Sequence, residues 1–311
     1  MSDVYILIPH LRIQNANALS SPFTIGFPAM TAWLGAIHAL QRKLNAQDIP
    51  VEFEGVGVVS HKFDLQTYKG YGDFGYSIIG MANPVDKDGS RPAFIEEARC
   101  HLEASLVIRY ENCESLYEDE LLAKIEHQLR SGMKMAGGDI IDLDKPSLHR
   151  DFNRLKTKLM PGYAIIERRE LMIEAMERGQ DALDAMLDYL VIHHQCEMTG
   201  EGEQSTVTWK SARKETGHEG QRGWIVPIAT GFHGISELGQ AKNQRNPDTP
   251  HRFVESIVTL GEFKMPYKLD TAEELFWRYH FDLENNLYLC QQTGAGTTLT
   301  TPDSTLHKTG F

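Results

Sequence analysis

Two hydrophobic periods in the first 44 residues constrain the fold most. Val4 to Arg12 (VYILIPHLR) is an apolar, β-prone run with the character of a buried strand. Met30, Trp33, Leu34, Ile37, Leu40 and Leu44 then recur at helical spacing, and Pro28 suits the first turn of that helix, where its missing N–H leaves no bond unmade. Between them the sequence predicts a polar loop holding Gln14, Asn15, Asn17, Ser20, Ser21 and Thr24, with Phe23 and Phe27 interleaved. Amides and hydroxyls both donate and accept hydrogen bonds, as nucleic-acid base edges require, and aromatic rings offer stacking faces. The same residue types also make ordinary turns.

Charge points the same way. No Asp or Glu occurs from Val4 to Gln47, in a chain with 43 acids among 311 residues; about six would fall in such a window at random. Only Arg12, Arg42 and Lys43 are basic there. The net charge of −12 argues against a protein that coats nucleic acid unspecifically, since that affinity rests on many Lys and Arg contacts to phosphates. A local site remains open, and the acid-free stretch is the preferred place for it. Cys100, Cys113, Cys196 and Cys290 have no paired spacing, and MSDVYILIPH lacks a basic start and a long apolar run, so a reducing, cytoplasmic setting is expected. No stretch approaches the length of a membrane span.

Further along, Val51 to Phe63 predicts a second strand ending at His61 and Lys62, and residues 64–97, rich in Gly, Tyr and Asp, predict a projecting hairpin or long loop. Arg99 to Tyr110 predicts a third strand, and about 117–135 a helix stopped by Gly137 and Gly138. Helices are expected over about 168–178 and 181–193, a flexible excursion over 199–223, and strands in GWIVPIATGF and RFVESIVTLGEF. The order strand, helix, strand, strand, helix, strand predicts an α+β chain with a ferredoxin-like (RNA-recognition-motif) core over 1–144. A helical segment and a β-containing C-terminal portion follow over 145–290, and residues 291–311 form a tail with little to bury.

Two motifs carry no chemistry. Gly70, Gly72 and Gly75 spell GxGxxG, but a dinucleotide site needs that pattern between a strand and a helix. His193, His194 and Cys196 lack a second cluster with ligand spacing. Neither a cofactor nor a metal is expected.

RIQNANALSSPFTIGFPAMTAWLGAIHALQRK resembles the start of the second-subunit family of the type I-F CRISPR surveillance (Csy) complex, a relative of the wider Cas-five family. GVGVVSHKF, EEARCHLEASLVI, MAGGDI, GWIVPIATGFHGISELG and TPHRFVESIVTLGEF follow in the order that family would have, and the resemblance is strongest over 10–63 and 223–263. It implies a non-catalytic RNA-binding and assembly subunit that holds the 5′ handle of CRISPR RNA and pairs with the large subunit. Residues 64–97 would then be a thumb that covers RNA and touches the first backbone subunit; contact with target DNA stays open.

On that resemblance, base edges would be read by Gln14, Asn15, Asn17, Ser20 and Ser21, with Phe23 for stacking and Arg12, Lys62 and Arg252 on phosphates. Gly137 and Gly138 read from sequence alone as a helix C-cap, and only the resemblance makes them an RNA-touching loop. Phe232 and His233, in a segment with Arg245 and Arg252, can complete an RNA groove or a protein interface. The resemblance has His10, His61 and His233 pack or hydrogen-bond RNA, with His61 counted beside Lys62 among the RNA-binding residues. The same three raise an alternative, a CRISPR RNA-processing endoribonuclease, since an imidazole can move the proton of a 2′-hydroxyl. A further rival is a small-molecule enzyme on a ferredoxin-like scaffold.

Overall fold

The computed structural model describes residues 4–79, 85, 87–90, 97–111, 118–199, 206–216, 223–242, 244, 246 and 248–292. Arg245 and residues 293–311 of the expected tail lie outside them, as do 80–84, 86 and 91–96 of the expected thumb. The fold is mixed α+β, with one large antiparallel sheet and, among the described residues, five α-helices.

The chain begins with β1 (Tyr5–Asn17), β2 (Leu19–Ser21), β3 (Thr24–Ile25), α1 (Met30–Asn45) and β4 (Glu52–Leu65). The six residues whose spacing predicts α1 are the six it buries. β1 runs five residues further than its apolar run suggests. Gln14, Asn15 and Asn17 are therefore strand residues, and the expected loop shrinks to the β2–β3 hairpin. β1 absorbs this length through two bulges against its neighbour, with left-handed backbone at His10 (φ 48°) and Asn15 (φ 57°).

Next come β5 (Thr67–Tyr68) and β6 (Ser77–Ile78), a short hairpin in the expected projecting segment, then β7 (Arg99–Glu111) and α2 (Glu118–Gly132). α2 stops short of the expected end because Lys134–Met135 leaves it as β8, which pairs with β9 (Gly138–Asp142). Gly137 is thus no helix cap. Ala136 (φ 49°) and Gly137 (φ 76°) are the two residues of a tight hairpin turn that needs positive φ at both positions.

The second half holds β10 (Ser147–His149), α3 (Phe152–Lys158), β11 (Tyr163–Glu167), α4 (Arg169–Glu177) and α5 (Ala182–Leu190). It continues through β12 (His193–Thr199), β13 (Thr206–Ala212), β14 (Trp224–Gly234), β15 (Val254–Lys264), β16 (Trp277–Asp282) and β17 (Leu287–Gln292). The expected flexible excursion is in part a strand: Thr206–Ala212 pairs residue for residue with His193–Thr199. His193 and His194 consequently point to opposite faces of a ribbon.

Four strands of the first half lie in the order β4, β7, β1, β9, each pair antiparallel. The second half grows from the free edge of β4, which pairs with β16 at Val56 and with β11 at Val59 and Ser60. With β16–β17, β17–β14, β14–β15 and β15–β11 also paired, these strands close a ring that uses β4 twice. Trp277 is fully buried and its indole N–H donates to the Ile165 carbonyl at 2.9 Å, joining β16 to β11.

Because β1 is covered on both sides it reads as a continuous apolar run. Ile6 and Ile8 join the core under α1 and α2, whereas Tyr5 and Leu7 join Val59, Val107, Leu155 and Phe276 on the opposite face under α3. That second cover ends near Ser105, and beyond it the sheet face is open.

Candidate nucleic-acid interface

The open face lies where β1 and β4 end and β7 begins. Arg12 stands opposite Glu103, which stands opposite Lys62, and Asp64 stands opposite His101, so a polar strip crosses three strands. Arg12 is 63 % exposed and held only loosely, 3.9 Å from both Glu103 and Asp142. Lys62 is exposed and makes no ion pair among the described residues. Gln14 and Asn15 continue the strip along β1.

The second bulge of β1 organises the strip's far end. Asn15 accepts from Gln66 Nε2 at 2.7 Å, its backbone N–H donates to His101 Nδ1 at 3.3 Å, and Arg99 Nη1 reaches its carbonyl at 3.5 Å. Arg99 also pairs with Glu97, yet its Nε is buried without a partner among the described residues. Gly138 lies against the same bulge: a Cβ there would stand 2.7 Å from the Ala16 nitrogen and the Gln14 carbonyl oxygen. The structure therefore brings Gln14, Asn15, Asn17, Gly137 and Gly138 together.

Gln66, Arg99 and His101 were missed at the sequence level. Arg99 and His101 begin β7 and Gln66 directly follows β4, so only the pairing of β7 with β1 and β4 brings them to Asn15.

The hydroxyls behave differently. Ser21 and Thr24 are buried, with their oxygens 2.7 Å apart, and Ser20 joins Thr24 at 2.9 Å, so all three shape the β2–β3 turn. Asn17 brackets Leu19, donating to its carbonyl and accepting from its N–H, both at 3.1 Å. The turn lifts Phe23 to 88 % exposure. Trp224 is half-exposed and packs on Tyr163 and Phe263, in turn in edge contact with Phe27, so a second aromatic flanks the hairpin. Its sequence signal was an aromatic at the very start of a strand.

His61 is a latch. Its Nδ1 lies 2.6 Å from the Pro161 carbonyl, which only accepts, so Nδ1 donates and Nε2 accepts from Ser105 Oγ at 2.7 Å. Ser105 in turn accepts the His10 backbone N–H at 3.0 Å. The His10 ring stacks on His61 at 4.4 Å and holds Glu103 at 2.6 Å. Burial, with the nearby His10, pushes the His61 pKa below the usual imidazole value. Ser105 is 1 % exposed, out of reach of a substrate.

Phe232, His233 and Arg252 do not join this group. Phe232 stacks on Tyr288, His233 pairs with Glu255 at 3.1 Å, and Arg252 bonds Asn286. They sit at the other end of β14 from Trp224, on the order of 30 Å away along the strand.

Among the described residues no three His, Cys, Asp or Glu side chains gather as metal ligands, and no helix is long and apolar enough to cross a membrane. A family model described as CRISPR-associated protein (Cas_Csy2) matches residues 6–290. A protein of Pseudomonas aeruginosa (strain UCBPP-PA14) named CRISPR-associated protein Csy2 is 31 % identical over 317 residues, covering 92 % of this chain and 94 % of that protein.

Proposed function

The chain belongs to the Cas_Csy2 family of CRISPR-associated proteins, and on that premise we propose that it is a non-catalytic subunit of a type I-F CRISPR surveillance complex in the cytoplasm. It grips the 5′ handle of CRISPR RNA as a single strand, pairs with the large subunit, and meets the first backbone subunit through residues 64–97. The scaffold is a ferredoxin-like core; its support is the strand–helix–strand–strand–helix–strand order with β4, β7, β1 and β9 side by side.

The observation that carries the proposal is the open strip beside an exposed aromatic hairpin. Arg12, Lys62 and Arg99 supply cations, Gln14, Asn15 and Gln66 supply amides for base edges, and Phe23 supplies a stacking face. Gly137 and Gly138 let the β8–β9 turn approach the strip without side chains in the way.

The stacked His10 and His61 favour the endoribonuclease as a second reading. Against it, His61 spends both ring nitrogens inside the protein and the hydroxyl it holds is buried.

The test is to co-express the chain with its genomic neighbours and a CRISPR array, then map the ends of the bound RNA and the crosslinked residues. Handle RNA crosslinked to residues 12–24 and to Gln66, Arg99 or His101 is expected. A chain that copurifies with neither RNA nor another subunit overturns the proposal, and cleavage of added RNA that depends on His10 or His61 favours the alternative.

A further inference from the structure

α4 packs on β15 and α5 on β14, with Leu171, Tyr189, Ile225 and Leu260 between them, so the outward faces of the two helices lie side by side. Those outward faces are not polar. Ile173 and Met176 of α4 are 49 % and 48 % exposed, and Leu183 and Leu187 of α5 are 57 % and 44 % exposed. The β12–β13 ribbon continues from α5. Directly opposite residues of an antiparallel pair share a face, so beyond the polar pair His194–Ser211 one side is apolar, with Cys196 opposite Trp209 and Met198 opposite Val207, while Gln195 with Lys210 and Glu197 with Thr208 make the other side polar. Neither edge of the ribbon pairs with another strand among the described residues, and Met198 and Trp209 are about two-thirds exposed, at 69 % and 66 %. A lone two-stranded ribbon is marginal in water, and an apolar side on it asks for a third layer.

Charge says what that layer is. From Arg169 to Leu190 there are six acids, Glu170, Glu174, Glu177, Asp181, Asp184 and Asp188, against Arg169 and Arg178. Asp181 caps α5, Asp188 holds Lys214 and Glu170 holds Arg168. Glu174, Glu177 and Asp184 each directly follow one of the exposed apolar residues and make no ion pair among the described residues. Nucleic acid would be repelled here, and a second copy of the chain would bring the same acids.

We infer that the outward face of α4 and α5, together with the apolar side of the β12–β13 ribbon, is the seat of a neighbouring protein subunit that presents apolar side chains rimmed by Lys or Arg. This rests on the reading of the chain as one subunit of a complex and adds where, and against what chemistry, a protein neighbour sits. The RNA strip and the protein seat are then separate, the first at the ends of β1 and β4, the second on the helices over β14 and β15.

The test uses the full chain co-expressed with its genomic neighbours and a CRISPR array, with native mass spectrometry of the purified assemblies. Two variants are compared with the parent: E174K/E177K/D184K, which reverses only exposed charges, and L187K/W209E, which breaks the apolar seat; each is first checked for an unchanged melting temperature. The expected result is a tenfold or greater loss of one protein subunit in both variants, with Phe23→Ala keeping that subunit. Several results overturn the inference. One is a parent and charge-reversed variant that assemble alike; another is charge reversal that increases bound RNA, which makes the occupant a nucleic acid. A third is a chain that is dimeric by itself and becomes monomeric as L187K/W209E. Failure of the parent to assemble with any co-expressed protein overturns the subunit reading as well.

Discussion

At the scale of single residues, Phe23 and Glu167 separate binding from stability. Phe23 is almost wholly exposed, so Phe23→Ala should leave the melting temperature unchanged. It should weaken RNA binding by roughly 5- to 150-fold, the worth of about 1–3 kcal/mol of base stacking, as a titration with labelled handle RNA would show. Glu167 is the reverse case. Burial raises its carboxyl to about 7, against the pull of Arg169 and of the Gln292 N–H that it accepts at 2.9 Å. A carboxyl with a raised folded pKa binds more protons folded than unfolded. Its contribution is therefore fully present at low pH and is lost as pH rises from the ordinary carboxylate value through about 7. Glu167→Gln keeps the acceptor and removes the charge. It should gain on the order of 3 kcal/mol over the parent between about pH 4.5 and pH 8 in urea unfolding, and a constant difference would refute the burial argument.

At the scale of elements, the β8–β9 hairpin shows how a short motif is read wrongly in isolation. A Gly pair after a helix looks like its C-cap, whereas Gly137 closes a hairpin turn and Gly138 lets that hairpin press on the β1 bulge. The obstruction facing a Cβ at Gly138 is backbone, which cannot swing aside as a flexible side chain can. Gly138→Ala should accordingly cost about 1–3 kcal/mol, measured by thermal or urea unfolding. A neutral outcome would mean that the bulge at Ile13–Ala16 yields easily. α1 is the opposite case: its six core residues lie on one local period, so nothing outside the helix was needed to find them. β1 was only half legible, because the left-handed residues His10 and Asn15 break the two-residue alternation that identifies a strand.

For the whole molecule, the net charge of −12 and a strip with Arg12, Lys62 and Arg99 as its cations predict weakly salt-dependent RNA binding. With about three phosphate contacts, log affinity should fall against log salt with a slope of about −2. A slope several times steeper would overturn the strip as the sole electrostatic contact. The closed ring of strands on β4 makes the two halves share a core, since Ile165, Ile228, Trp277 and Cys290 pack with residues of the first half. Composition and spacing carried no sign of this sharing: its pairings join residues such as Val56 and Trp277, far apart in the chain.

The sequence by itself determined what depends on neighbours along the chain: α1 and its buried stripe, the succession of strands and helices, the acid-free stretch from Val4 to Gln47, and the family resemblance. Tertiary structure decided what depends on pairing across it. It turned three expected loop residues into strand, took Ser20, Ser21 and His61 into internal hydrogen bonds, and added Gln66, Arg99 and His101 to the candidate site. The physical reason is that hydrophobic period and capping act within a turn or two of chain, whereas a sheet's hydrogen bonds are satisfied by whichever strand lies alongside.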